Sequence, residues 1–349
     1  MHPYFVGLDV HKQVIAFCVK KADGTIVAEG TIKATRAALT EWVKTLPQPW
    51  HGGMEATLFS HWIYRHLKPH AAQLWMGQPS KMKAICSGKK KSDKLDARML
   101  ADLLRSNLFP ACYVTPPELE GLRRQMRFRR LVVEETVKFK NKTAGLLMEA
   151  GVEYHKRKLH GKQYFAELLR DENAQIPAEL RPLLEFSRSQ IEDLARMDDR
   201  LLKMLADHAQ LGARVEALQK IDGVGPVTAL TWALEVGEPS RFGSIKQAVS
   251  YCGLSSALRE SAGQQRRGPI SKQRNRHLQC VLIEAAKIGP RFHPRLKEIQ
   301  EKAQQKGHKN RATIQVARKL VAYLLAADRA FLATLAVAAD ASTPAAAAA

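Results

Sequence analysis

The sequence predicts an α/β domain at its start and a helical, strongly basic remainder. Three observations carry that prediction. Short apolar runs separated by turn signals fill the first hundred residues. Beyond about residue 113, apolar residues recur at helical spacing over long stretches. The 349 residues hold 55 Lys and Arg against 34 Asp and Glu, a formal net charge of +21. Such a surplus implies a polyanion as partner, whether DNA, RNA or an acidic surface.

The elements follow in order. Residues 4–10 (YFVGLDV), 13–20 (QVIAFCVK) and 25–31 (TIVAEGT) are three strands in sequence, with Ala22-Asp23-Gly24 the clearest turn. Residues 36–46 form a helix stopped by Pro47. A strand ends near Met54, a helix runs from about Leu58 to Leu67, and residues 71–76 (AAQLWM) make a fifth strand. A three-strand meander followed by alternating helix and strand is the order of a ribonuclease-H-like domain, placed at residues 1–112. Residues 113–215 contain two long amphipathic helices, the second with a stripe of Ile191, Leu194, Leu201, Leu202 and Leu205. A coiled-coil arm and a plain helical bundle fit that periodicity equally. Residues 216–330 are helical, Gly-punctuated and very basic, and residues 331–349 are an Ala-rich tail expected to lose structure beyond its first turns.

Other classes are disfavoured. No apolar run is long enough for a membrane span, and the N-terminus lacks the marks of a signal peptide. The five cysteines are odd in number, scattered and without a CxxC pair, so neither a disulfide framework nor a zinc ribbon is supported. A cytoplasmic, soluble, nucleoid-associated protein is expected.

Four carboxylates form the first chemical constellation: Asp9 and Glu55 at strand ends, and Asp93 with Asp96 at the start of a helix that follows the run Lys89-Lys90-Lys91. Three residues apart on a helix, Asp93 and Asp96 point the same way. Converging carboxylates repel unless a cation intervenes. A pair of magnesium ions would cancel that charge and drive phosphodiester chemistry. Each residue also has a bland reading: Asp9 a turn residue, Glu55 a helix cap, Asp93 and Asp96 favourable charges at a helix N-terminus. Together, in this element order and on a basic chain, they favour a two-metal site, with His11 and Lys12 as phosphate-contacting or structural neighbours.

Two further motifs lie in the basic half. LQKIDGVGPVTALTWALEVG, residues 218–237, has the pattern of a helix-hairpin-helix, with Gly223 and Gly225 allowing a phosphate close to the backbone and Pro226 opening a helix. A tight structural turn is its alternative. Residues 251–286 place Ser255, Ser256, Ser261 and Ser271 among Arg259, Arg266, Arg267, Lys272, Arg274, Arg276 and His277. A serine needs a base, a metal or a positive field to act as nucleophile. Composition alone does not select one serine, and a basic phosphate-binding loop with bystander serines is the simpler reading. The last basic stretch, residues 292–320, is helical apart from Gly307, and its cations either track a nucleic-acid backbone or form a solvated face.

On GLDVHK, GMEAT and KSDKLDARMLADLL in the first half, and IDGVGPVTALTWALEVGEPSRFGSIKQAVSYCGL with RRGPISKQRNRHLQ in the second, the chain resembles the IS110 family of insertion-sequence transposases, DEDD recombinases related to the Piv and MooV invertases. The resemblance runs to about residue 325. It implies a RuvC-like domain with magnesium on Asp9, Glu55, Asp93 and Asp96. It also implies a C-terminal transposase domain whose serine forms a transient phosphoserine link to DNA. Ser261, in ESAG, is the best match. The family pattern has a second serine where Ala262 stands, so Ser256 and Ser255 remain alternatives. A structured noncoding guide RNA, and homodimers that pair into a tetramer, are implied too. A RuvC-like junction-resolving or repair nuclease with water as nucleophile, and a non-enzymatic nucleic-acid-binding protein, are the rival expectations.

Overall fold

The computed structural model describes residues 3–85, 92–209, 211–261 and 263–342; the Lys89-Lys90-Lys91 run lies outside them. The chain divides into two compact units, residues 1–114 and 115–349.

The first unit is built on β1 (Tyr4–Val10), β2 (Val14–Lys20), β3 (Ile26–Lys33), α1 (Arg36–Lys44), β4 (Trp50–Glu55), α2 (Ser60–Leu67), β5 (Gln73–Gly77), α3 (Pro79–Ile85), α4 (Asp93–Arg105) and β6 (Ala111–Cys112). The six strands form one sheet in the order β3-β2-β1-β4-β5-β6. The β1–β2 and β2–β3 pairs are antiparallel, while β1–β4 and β4–β5 are parallel.

Alternation along β1 decides what lies on each face. Val6, Leu8 and Val10 point into a core with Leu39, Trp42 and Val43 of α1 and Ile63 and Leu67 of α2. Gly7 and Asp9 therefore face the other side, where α4 packs. The residues on that face are small: Ala16 and Cys18 of β2 meet Ala97 of α4. A Cβ on Gly7 would lie 2.1 Å from the Ala97 carbonyl oxygen, so only glycine lets the helix backbone come this close. Ser92 caps α4 by accepting from the Leu95 N–H. Ion pairs then fix the helix: Arg98 grips Glu29 of β3 in a fork at 2.7 and 2.9 Å, and buried Lys20 of β2 reaches Asp102 at 2.6 Å. Arg98, and Lys94 after it, hold the Glu29 carboxyl down at about 2.

The second unit begins with α5 (Pro117–Glu149), then α6 (Lys162–Arg170) and α7 (Arg181–Ala206). The long helices α5 and α7 pack against each other and are tied by Arg129 to Asp198 at 2.7 Å. Ile191 and Leu205 of the expected stripe are buried. The elements α8 (Gly212–Gln219), α9 (Pro226–Val236), α10 (Ile245–Tyr251), β7 (Ser256–Ser261), β8 (Gln264–Ile270), α11 (Arg276–Ile288), α12 (Pro294–Gln304) and α13 (Lys309–Ser342) follow. Leu122 and Met126, near the start of α5, share one apolar core with α8–α13.

Two expectations need correction. Residues 256–270 lie in a stretch expected to be helical with a flexible Gly/Ser/Arg-rich middle, but they form an antiparallel hairpin. Its few apolar residues, Ala257, Leu258, Pro269 and Ile270, gather near the foot without alternating with polar ones, so no alternation announces the strands. The expectation of no membrane-length apolar run also fails on composition, because α13 over residues 309–337 is long and apolar enough. Its apolar face, however, lies in the unit's core through Val316, Leu320 and Leu324. It also carries buried Asp328, which accepts from Arg214 at 2.7 Å and from the Trp232 indole at 2.9 Å. The helix continues to Ser342; residues 343–349 are outside the described set.

Candidate active-site groups in the two units

In the first unit, geometry gathers the predicted carboxylates on the α4 face of the sheet. Asp9 and Glu55 each lie one residue beyond the parallel pair Leu8–Met54. Trp50 and Met54 fill the opposite core, so alternation turns Glu55 to the same face as Asp9. Asp93 and Asp96 occupy the first turn of α4.

Ligand atoms of Asp9, His11 and Asp93 all fall within 4.8 Å of one another. The His11 Nε2 is 3.1 Å from Asp9 Oδ2 and 3.5 Å from Asp93 Oδ1. Burial raises the Asp9 carboxyl above its ordinary range; His11 opposes that shift, and the charges of Asp96 and Asp93 add to it. Asp96 has no cationic partner among the described residues. Like charges held this close favour a bound cation, and hard carboxylate oxygens suit magnesium. The donor set therefore fits a divalent metal. His11, expected only as a neighbour, is part of the cluster itself; its signal was a histidine two residues beyond the strand-end Asp9.

In the second unit, Ser261 ends β7 and pairs with Gln264 of β8, and Gly263 has φ of 77°. It is exposed at the tip of the hairpin, while Ser256 stands at the foot and the Ser255 carbonyl accepts from the Ser271 N–H. Arg266 and Arg267 lie on β8, with Arg266 exposed. Exposed Lys272 and Arg274 follow the hairpin, and Arg274 lies against Gly253, whose φ is 72°. The Arg276 carbonyl accepts from Arg130 of α5 at 3.2 Å.

The feet of the hairpin meet at a buried group that sequence reasoning missed. Glu235 of α9 is 1% exposed and accepts from Arg127 at 2.7 and 2.8 Å and from Arg123 at 3.1 Å. Asn275, just after the hairpin, donates to the same carboxylate at 2.7 Å and to the Tyr251 hydroxyl, just before the hairpin, at 3.2 Å. Tyr251 in turn donates to the Glu235 carbonyl at 2.8 Å. Burial alone would raise the Glu235 carboxyl, but Arg127, Arg123 and Asn275 outweigh it and bring it down to about 2. The signal was one glutamate in an otherwise apolar helix, ALTWALEVG, which demands a cationic partner.

The glycines of residues 220–225 separate in role. Gly223 has φ of 85°, and a Cβ there would meet the Gly289 backbone at 2.5 Å. That packing by itself requires glycine. Gly225 faces open space at the start of α9.

Comparison with known proteins finds two family models. Residues 6–151 match a transposase model for the DEDD domain of IS110 type, and residues 215–301 match the transposase model of the IS116/IS110/IS902 family. A protein of Pseudomonas aeruginosa described as a family 20 transposase is 26% identical over 283 residues, 81% of this chain and 82% of its own length. The transposase y4qE of Sinorhizobium fredii is 26% identical over 84% of this chain and 76% of its own. The transposase of insertion element IS1533 of Leptospira borgpetersenii is 32% identical over 106 residues, 29% of this chain and 31% of its own.

Proposed function

The chain belongs to the IS110 family of insertion-sequence transposases, and from that premise we propose that it moves DNA by magnesium-dependent cleavage and rejoining through a covalent link to Ser261. The observation that carries the reading is the carboxylate cluster of Asp9 and Asp93 with His11, in the segment that matches the DEDD model. The strand order and the shared face of Asp9, Glu55, Asp93 and Asp96 support a ribonuclease-H-like, RuvC-type domain.

Asp9, Glu55, Asp93 and Asp96 would hold the metal, which supplies positive charge at the scissile phosphate and stabilises the leaving oxygen. Ser261 Oγ attacks the phosphorus. The new Oγ–P bond replaces one bond from phosphorus to a deoxyribose oxygen, which leaves as a hydroxyl. The proton from the serine offsets the one gained by the leaving oxygen. Attack by the hydroxyl of another strand reverses the step, so the phosphoester bond is conserved. Arg266, Arg267, Lys272, Arg274 and Arg276, all on or beside the hairpin, hold phosphates. The open start of α9 at Gly225 offers further N–H groups to one. Gly223, although packed on Gly289, shapes that turn. A structured noncoding RNA is the proposed guide, consistent with the charge of +21, and homodimers pairing into a tetramer are the proposed assembly.

The test incubates wild type, Ser261→Ala and Asp96→Asn with donor DNA, target DNA and the RNA transcribed beside the gene. Wild type yields a protein–DNA adduct on a denaturing gel and recombinant product, and both variants fall to background. Full recombination by Ser261→Ala would assign the nucleophile to Ser256, Ser255 or water. Metal-dependent cutting by wild type with no adduct would make the protein a water-using nuclease.

A further inference from the structure

The basic residues of the last helical stretch divide into two groups. On α12, Arg295 and Lys302 both pair with Glu298 at 2.6 Å, and Lys297 lies 4.0 Å from Glu301. Two carboxylates thus offset most of the charge of these three cations within the helix. On α13 the situation differs. Arg311 is exposed and has no carboxylate partner among the described residues. Arg318 donates Nε to the Leu254 carbonyl at 2.8 Å, which fixes the guanidinium plane and leaves its terminal N–H groups without a partner among the described residues.

Arg311, Gln315 and Arg318 stand at helical spacing, so they share one face of α13. That face forms one wall of a cleft of about 660 Å³. Ser256 and the Gly268–Ile270 segment, at the foot of the hairpin, form the other wall, and Asn310 and Ile314 also line it. The volume lies within the usual range of ligand clefts, roughly 300–1,000 Å³. Among the described residues, no Asp or Glu lines it. A cleft elsewhere in the same unit, bordered by Glu153, Glu167 and Asp171, has the opposite character.

We propose that this cleft is a backbone-binding subsite for a nucleic-acid strand. Two guanidinium groups would grip phosphate oxygens, and the amides of Asn310 and Gln315 with the Ser256 hydroxyl would bond sugar and phosphate oxygens. Donors of this kind position a strand without reading its bases, and arginine suits phosphate better than lysine because its donors form a planar fork. The subsite borders the strands that carry Ser261. It therefore deepens the functional reading above by assigning α13 to hold the strand entering or leaving that hairpin.

Binding is measured on the full-length protein by fluorescence anisotropy, without metal, so that strand chemistry is off. The probes are a labelled DNA single strand, the matching duplex and an RNA of the same sequence, each across a salt series. Arg311→Ala is expected to weaken binding several-fold and to lower the log–log salt slope by about one. Gln315→Lys is expected to steepen that slope by about one. Arg295→Ala on α12, whose charge is already paired, serves as the control with a small effect. Loss confined to the DNA probes names DNA as the occupant, and loss confined to RNA names the RNA. Affinity and slope unchanged in both Arg311→Ala and Gln315→Lys, for every probe, would overturn the subsite. Failure of the serine mechanism shows separately, as tight binding by wild type that never yields an adduct in magnesium.

Discussion

The two halves of the proposed chemistry are built in opposite ways. The carboxylate face sits on a sheet with a helix pressed against it, backbone on backbone at Gly7, and held by ion pairs from Lys20 and Arg98. Its like charges need a fixed frame, because metal affinity depends on ligands staying where they converge. Ser261, by contrast, stands at the exposed end of a two-stranded ribbon. What is rigid there lies below the ribbon, where Glu235 and its partners join the segments on either side of it. On the proposed roles, the metal site is fixed at the reacting groups, whereas the nucleophile, which must meet a large substrate, is fixed at its base.

The strongest way to break that comparison is to remove the base. Glu235→Ala leaves Arg123, Arg127 and Asn275 without their shared acceptor. Breaking a buried pair of this kind costs about 3–5 kcal/mol, so the second unit should lose that much in denaturant unfolding. Hydrogen exchange across residues 256–270 should quicken, while metal binding by the first unit stays unchanged. The same group fixes an acid response. Its folded pKa is about 2 against an ordinary 4.5, so the folded state binds fewer protons than the unfolded one. The stability this contributes, about 3 kcal/mol, is fully present above pH 4.5 and is lost as pH falls toward 2. Burial also keeps His277 below its ordinary 6.5, which adds a separate loss that begins higher. Glu235→Gln removes the lower step and, by taking away a charge that supports protonated His277, leaves His277 further below its ordinary range. Equal acid sensitivity in wild type and Glu235→Gln would show that the carboxylate does not anchor this unit.

That contrast was unevenly legible in the sequence. The five strands expected in the first unit are present because alternation and turn residues both mark them, and the carboxylates are visible because acidic residues at strand ends and a helix start are conspicuous. The hairpin was hidden, since its few apolar residues do not alternate with polar ones and ladder hydrogen bonds leave no periodic trace. Glu235 was hidden for another reason. Its partners Arg123 and Arg127 lie more than a hundred positions away in the chain, and a sequence shows a demand for a partner without showing who answers it. His11 fell between these cases, being close in sequence to Asp9 but also brought against Asp93 of α4 by the fold.

On the sheet side, the sharpest probe is one methyl group. A Cβ at residue 7 would overlap the Ala97 carbonyl oxygen and the Ala101 nitrogen at 2.1 and 2.5 Å. Both are backbone atoms, so no rotamer relieves the clash and α4 must shift. Gly7→Ala is expected to cost about 1–3 kcal/mol in the first unit. Because α4 carries Asp93 and Asp96, manganese affinity measured by titration calorimetry should fall as well. A variant destabilised to that extent with unaltered metal affinity would mean that the carboxylates do not depend on how closely α4 packs.

The smallest expected effect separates two jobs of one residue on the hairpin side. The Asn275 side chain accepts from the His277 and Leu278 N–H groups, capping α11 at 3.0 and 3.1 Å, and its amide donates to Glu235. Asn275→Ala removes both and should cost about 1–2 kcal/mol. Asn275→Asp keeps a cap of equal quality but sets a second carboxylate against Glu235. If the bond to Glu235 is what ties the hairpin foot, the Asp variant should be less stable than the Ala variant at pH 7, and the gap should close in acid as the added carboxylate takes up a proton. If capping is the whole role, Asp should match wild type and the exchange rates of residues 256–270 should not move. Thermal unfolding of the three proteins at two pH values therefore reads the base of the ribbon without touching the ribbon itself.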